Sequence, residues 1–125
     1  MNLLVVDDLE AVGVIVAEIA SQSGWHSIHC TQADEILETI EKEKIDVILM
    51  DYFMPGKSGL DVATTIREAG LKTTIMFFSG MASQIDRAKA DELGIFKILD
   101  KPLSIKELRK SLSEAQNAQP ADSSW

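Results

Sequence analysis

The sequence predicts an α/β protein of (βα)5 type, in which five strands form one doubly wound parallel sheet with helices on both faces. Short apolar runs alternate along the 125 residues with longer segments whose apolar residues recur at helical spacing. The apolar runs are continuous, which is typical of parallel strands covered on both faces. Because connections between parallel strands are right-handed, the helices are expected on both sides of the sheet.

The five apolar runs predict the five strands. They comprise residues 3–6, 27–30, 47–50, 74–78 and 97–99. Each run has three to five residues, which suits a buried strand better than a helix.

Five segments between and after these runs predict helices with one apolar face. The residues expected on those faces are Val12, Ile15, Val16 and Ile19; Ile36, Leu37 and Ile40; Leu60, Ala63 and Ile66; Ile85, Ala88 and Leu93; and Ile105, Leu108 and Leu112. Gly24, Gly70 and Gly94 stand where three of the helices should end. Ser104 and Glu107 have the spacing of a capping box at the start of the last helix.

Composition limits the classes of partner and compartment. Twelve Lys and Arg against 20 Asp and Glu give a net charge of −8, which disfavours nucleic acid and membrane surfaces as direct partners. No apolar run approaches the ~20 residues of a membrane span. The single cysteine, Cys30, allows no internal disulfide, and together these features predict a cytoplasmic protein. One domain is expected over residues 1–115, with a disordered polar tail or linker over residues 116–125.

The chemistry is expected at the carboxyl ends of the strands, where open parallel sheets bind ligands. Asp7 and Asp8 end the first strand, Asp51 the third and Ser79 the fourth, and Lys101 follows the fifth. Three close carboxylates repel one another unless a cation lies among them, and oxygen ligands without His or Cys favour Mg²⁺. A carboxylate beside a metal ion, a lysine and a hydroxyl can attack phosphorus as a nucleophile.

These residues stand within motifs that resemble the receiver domain of two-component response regulators, over about residues 1–115. The matching segments are Leu-Leu-Val-Val-Asp-Asp at residues 3–8, Ile-Leu-Met-Asp-Tyr-Phe-Met-Pro-Gly at residues 48–56, Ser79-Gly80 and Lys101-Pro102. The resemblance implies the flavodoxin-like strand order 2-1-3-4-5. It also implies a protein of phosphorelay signalling that is not itself an enzyme.

The resemblance also implies roles for the site residues. Asp51 would accept a phosphoryl group from a sensor histidine kinase or a phosphotransfer protein. Asp8 would bind Mg²⁺ directly and Asp7 through water, with Asp51 and the backbone carbonyl of Phe53 as further ligands. Ser79 would hydrogen-bond the phosphoryl group and Lys101 would pair with it.

Three residues depart from the commonest receiver pattern. Ile98 stands three residues before the lysine, where the family usually has a switch aromatic, and Phe96 precedes it by two. Phe53 stands two residues past the acceptor Asp51, and Met81 stands two residues past Ser79, which carries the hydroxyl. Because apolar side chains there hinder water and cannot orient it, we expect slow self-dephosphorylation.

The signal is expected to leave through the surface of the fourth strand and helix and the fifth strand and helix. The residues proposed for it are Ile95, Ile98, Leu108 and Leu112, some of which should also be core. This surface would bind a second copy of the chain or a downstream protein.

Other interpretations remain open. Asp8 could cap the first helix, Ser79 could bond its own turn, and Lys101 could be solvated. The chain could be a receiver-like docking module that works without phosphorylation, and the missing switch aromatic is the observation in its favour. A phosphatase of the haloacid-dehalogenase type is disfavoured because Phe53 replaces the second Asp. A flavodoxin-type flavin carrier is disfavoured because Asp7 and Asp8 would repel its phosphate.

Overall fold

Five parallel strands form one sheet in the computed structural model, which describes residues 1–54 and 56–118. The strands are β1 (Asn2–Val6), β2 (His26–Cys30), β3 (Val47–Asp51), β4 (Thr74–Ser79) and β5 (Lys97–Asp100). Their order across the sheet is β2-β1-β3-β4-β5, and every neighbouring pair is parallel. The predicted fold class and strand order are therefore confirmed.

Five helices connect or follow the strands. They are α1 (Glu10–Gln22), α2 (Ile36–Glu43), α3 (Gly59–Glu68), α4 (Arg87–Glu92) and α5 (Ile105–Asn117). Single 3₁₀ turns, Ala33–Glu35 and Ala82–Gln84, precede α2 and α4. Helix α5 extends into the segment predicted as a tail, of which residues 119–125 lie outside the described residues.

The sheet separates two apolar cores, which explains why its strands are apolar at consecutive positions. Leu3 and Val5 of β1 pack with residues of α1 and α5, whereas Leu4 and Val6 pack with residues of α2, α3 and α4. All four side chains are almost completely buried. A central strand buried on both faces has no solvent-facing position for a polar residue, so its sequence shows no alternation.

Several predicted helix faces are only partly correct. Ile15, Ala88 and Ile105 are exposed, and Ile15 retains 51% of its accessible surface. Helix α1 instead buries Gly13, Val16, Ile19 and Ala20. Ile15 precedes Val16 by about 100° around the helix, which carries it off the buried stripe.

The predicted helix ends are in place. Gly24, Gly70 and Gly94 have positive φ angles of 83°, 81° and 70°, a conformation that favours glycine. The Ser104 hydroxyl oxygen accepts a hydrogen bond from the Glu107 backbone N–H at 3.2 Å, which is half of the predicted capping box.

A two-residue hairpin carries the chain from β3 to α3. Phe53–Met54 pairs antiparallel with Lys57–Ser58, and Ser58 then caps α3 in a reciprocal capping box with Asp61. Between Asp51 and α3, hydrogen bonds of the hairpin and of the capping box therefore hold the backbone.

Candidate functional site

Three carboxylates converge where β1 and β3 end. Because these strands are parallel neighbours, Asp7 and Asp8 beyond β1 lie beside Asp51, the last residue of β3. One oxygen from each carboxylate lies within 4.8 Å of the others. Asp7 is fully buried and Asp51 is only 6% exposed, whereas Asp8 is open to solvent. Two carboxylates of the cluster are thus shielded from solvent, and the third is accessible to it.

The buried Asp7 carboxylate is poorly compensated within the protein. Its Oδ1 accepts a hydrogen bond from the Leu9 backbone N–H at 2.8 Å. Its Oδ2 has no hydrogen-bond partner among the described residues, and the Lys101 ammonium lies 4.0 Å away. Burial raises the pKa of Asp7, the Leu9 hydrogen bond opposes that rise, and the charge of Asp51 adds to it. A cation that takes oxygen ligands would compensate the charge of this carboxylate.

Lys101 pairs directly with the Asp51 carboxylate. Its Nζ lies 3.2 Å from Asp51 Oδ2 and 4.8 Å from the centre of the Phe78 ring. Its backbone N–H donates to the Ser79 carbonyl at 3.0 Å, which fixes the start of the loop after β5. The other Asp51 oxygen accepts from the Phe53 backbone N–H at 3.3 Å. Lys101 is therefore an ion-pair partner in this structure and not a solvated loop lysine.

Ser79 lies at the same edge of the sheet, at the end of β4. Asp51 is level with Phe78 on the neighbouring strand, so Ser79 is one residue further along. Its buried hydroxyl oxygen accepts a hydrogen bond from the Met81 backbone N–H at 3.0 Å. The turn contact considered from sequence is thus present, and the hydroxyl proton remains available to another acceptor.

The alternative role of Asp8 as a helix cap is not observed. Leu9 is the N-cap residue of α1, and in the described part of the chain no side chain accepts a capping hydrogen bond there. The Asp8 carboxylate lies in the acidic cluster and is exposed to solvent.

The residues two positions past Asp51 and Ser79 are apolar and partly exposed. Phe53 is 48% exposed and Met81 is 46% exposed, although both are large hydrophobic residues. The Phe53 ring meets Tyr52 edge-on at 4.8 Å between ring centres. Neither side chain carries an amide or carboxylate that could orient a water molecule.

Two of the four residues proposed for the output surface are core residues, as was expected for some of them. Leu108 and Leu112 are fully buried in the core shared with α1, because α5 packs that face onto the sheet. They cannot contact a partner in this conformation. Ile95 and Ile98 are half-buried and pack against the other core, and Phe96 is exposed between them.

His29 contacts the backbone of Asp7 and packs against Gly13, and neither residue was assigned a role from the sequence. The His29 Nε2 lies 2.9 Å from the Asp7 carbonyl oxygen. A Cβ on Gly13 would lie 2.4 Å from the Nδ1 of the same ring. A glycine within a helix, opposite a histidine on an adjacent strand, is the signal that could have suggested a close contact.

Comparison with known proteins gives one consistent result. The family model described as "Response regulator receiver domain" matches residues 3–113. Transcriptional regulatory protein DltR of Streptococcus agalactiae serotype III (strain NEM316) is 32% identical over 108 residues, which cover 86% of this chain and 48% of DltR. The chain therefore spans about half the length of that relative.

Two further proteins match over nearly their full length. Sporulation initiation phosphotransferase F of Bacillus subtilis (strain 168) is 25% identical over 90% of this chain and 91% of its own. The crystal structure of a CheY-like receiver domain protein from Methanospirillum hungatei JF-1 superposes with a TM-score of 0.85 at 22% identity. That match covers 94% of each chain and supports the fold.

The helices were also assessed as membrane spans. Among the described residues, none is both long and apolar enough to cross a bilayer.

Proposed function

The chain belongs to the response regulator receiver domain family, and on that premise we propose that Asp51 accepts a phosphoryl group in a Mg²⁺-dependent reaction. The observation that carries the proposal is the setting of the Asp51 carboxylate. It lies 3.2 Å from the Lys101 ammonium and shares an acidic cluster with Asp7 and Asp8. A docking module that works without phosphorylation has no need of this constellation.

The residues present fit Mg²⁺. Asp7, Asp8 and Asp51 offer carboxylate oxygens, and one buried oxygen of Asp7 has no hydrogen-bond partner among the described residues. The family resemblance adds the backbone carbonyl of Phe53, two residues past Asp51. We propose these four as the ligands, with Asp7 acting through water. Bound Mg²⁺ supplies positive charge to the phosphoryl oxygens in the transition state.

The chain's own residues perform the transfer. A carboxylate oxygen of Asp51 forms a bond to phosphorus while the bond from phosphorus to the donor's leaving group breaks. Lys101, already paired with Asp51, then pairs with the phosphoryl oxygens. The Ser79 hydroxyl donates its free proton in a hydrogen bond to the phosphoryl group.

We propose a phosphohistidine donor, carried by a sensor histidine kinase or a phosphotransfer protein. The P–N bond of the donor breaks and its ring nitrogen takes up a proton. Similarity to a relative named as a phosphotransferase supports this class. Kinases form phosphohistidine from ATP, and ATP is in the cytoplasm. We therefore propose a cytoplasmic location for the chain.

The proposed output surface combines β4, α4, β5 and α5. Phe96, immediately before β5, is exposed, and Ile98 within β5 is half-buried. Phosphorylation shifts the population of this surface toward a form that binds a second copy or a downstream protein.

Removing the metal ion tests the proposed reaction. We expect the intact mass of the protein to rise by one phosphoryl group during incubation with acetyl phosphate and Mg²⁺. With EDTA in place of Mg²⁺ the gain should disappear, because the three carboxylates then repel the incoming phosphoryl oxygens. Equal gain with and without metal would contradict the Mg²⁺ role. No gain despite Mg²⁺ binding would favour the docking module.

The lifetime of the phosphoryl group gives a second test. The double substitution Phe53→Asn and Met81→Glu should speed loss of the phosphoryl group by about tenfold, because the new polar groups can orient a water molecule. Decay is followed by intact mass after removal of acetyl phosphate, with the exposed pair Val14→Asn and Ile105→Glu as a matched control. An unchanged decay rate would refute the role of Phe53 and Met81.

A further inference from the structure

His29 lies outside the acidic cluster but contacts the backbone of its buried member. We infer that His29 is a positioning residue that holds the Asp7–Asp8 turn in the geometry that Mg²⁺ requires. This inference rests on the proposed function, because it concerns the metal site assigned there.

The backbone of Asp7 is held by two neighbouring residues of β2. Its N–H donates to the Cys30 carbonyl at 3.1 Å, and its carbonyl oxygen lies 2.9 Å from His29 Nε2. Because a carbonyl only accepts, Nε2 must carry the proton in this contact. A parallel ladder would offer this carbonyl a backbone N–H beyond Cys30, but β2 ends there. The imidazole supplies the missing donor.

Gly13 makes room for the imidazole. An added Cβ on Gly13 would lie 2.4, 2.5 and 2.7 Å from the Nδ1, Cγ and Cε1 atoms of His29. All three distances are shorter than Cβ contacts in real proteins, and the ring could make room for a Cβ only by shifting from its position against the Asp7 carbonyl. The absence of a side chain at residue 13 therefore allows the hydrogen bond between His29 and Asp7.

Holding this carbonyl matters because the peptide bond after it leads directly to Asp8. The direction of that peptide sets where both carboxylates point relative to Asp51. Without a cation the three charges repel one another, so a loosely held turn would splay them apart. Groups that fix metal ligands from behind commonly change metal affinity by about tenfold or more when they are removed.

The test measures Mg²⁺ affinity by titration calorimetry for a small set of variants. His29→Ala should weaken Mg²⁺ binding about tenfold, and His29→Gln should recover part of the loss because its amide carries a donor at a similar reach. His26→Ala, at the exposed start of the same strand, should leave the affinity unchanged. At saturating Mg²⁺ the His29→Ala protein should still take up a full phosphoryl group.

Gly13→Ala provides an independent variant in which the histidine is kept. It should weaken Mg²⁺ binding as His29→Ala does, and it should lower the melting temperature. In a His29→Ala background the same substitution should instead raise the melting temperature, because alanine favours helix by about 1 kcal/mol over glycine.

The outcomes separate this inference from the function on which it rests. If the wild-type protein binds no Mg²⁺, the proposed function fails. If the wild type binds Mg²⁺ and His29→Ala binds it equally well, His29 only packs against α1 and the inference is overturned, whatever its effect on melting temperature.

Discussion

Asp51→Asn should abolish phosphoryl uptake from acetyl phosphate while the protein remains folded. The amide lacks the negatively charged oxygen that attacks phosphorus. The substitution removes the ion pair between Asp51 and Lys101, but it also removes the negative charge that repels Asp7. The second effect offsets part of the first. The melting temperature should therefore change little, and the loss of uptake should be complete.

The matched control is Asp91→Asn. Asp91 is exposed on α4 and lies outside the acidic cluster. Its substitution removes the same charge and should leave the mass gain intact. Uptake by Asp51→Asn equal to that of Asp91→Asn would show that another residue accepts the phosphoryl group.

Asp7→Asn should reverse its effect on stability when Mg²⁺ is added. Without Mg²⁺ the variant should be more stable than the wild type by on the order of 1 kcal/mol, because a buried charge without full compensation is replaced by a neutral amide. With Mg²⁺ at about 100 times its Kd, the wild type gains about 2.7 kcal/mol and the variant should gain much less. Melting temperatures with and without Mg²⁺ measure the reversal. A wild type that is more stable under both conditions would contradict it.

The same carboxyl group predicts a pH dependence in the absence of Mg²⁺. Burial raises the folded-state pKa of Asp7 above its unfolded value, so the folded protein holds this proton to a higher pH. The stability from that proton is fully present below the unfolded pKa and is lost as pH rises through the folded pKa. The free energy of unfolding, measured by chemical denaturation across this pH range, should fall in the wild type and fall less in Asp7→Asn. Identical pH profiles would contradict the assignment.

The strands and the acidic cluster were predictable because they depend on short-range patterns. Burial on both faces makes β1, β3 and β4 apolar at successive positions. The residue at which each apolar run stops therefore marks the carboxyl end of that strand. Parallel neighbours end side by side, and this alone brings Asp51 close to Asp7 and Asp8.

Other features depend on packing that a linear pattern does not contain. Ile15 and Ile105 are apolar like their buried neighbours, and only the docked orientation of α1 and α5 leaves them exposed. Leu108 and Leu112 are core because α5 lies flat on the sheet. The contact of His29 with Gly13 joins a helix to an edge strand, and its spacing in sequence has no meaning until the two elements pack.

The most direct test of the central claim is to locate the phosphoryl group. Protein incubated with acetyl phosphate and Mg²⁺ is treated with borohydride, which reduces an aspartyl phosphate to homoserine, and its peptides are sequenced by mass spectrometry. We predict homoserine at residue 51 and unmodified aspartate at residues 7 and 8. Homoserine at another aspartate, or none in a protein that has gained a phosphoryl group, would contradict the assignment of Asp51 as acceptor.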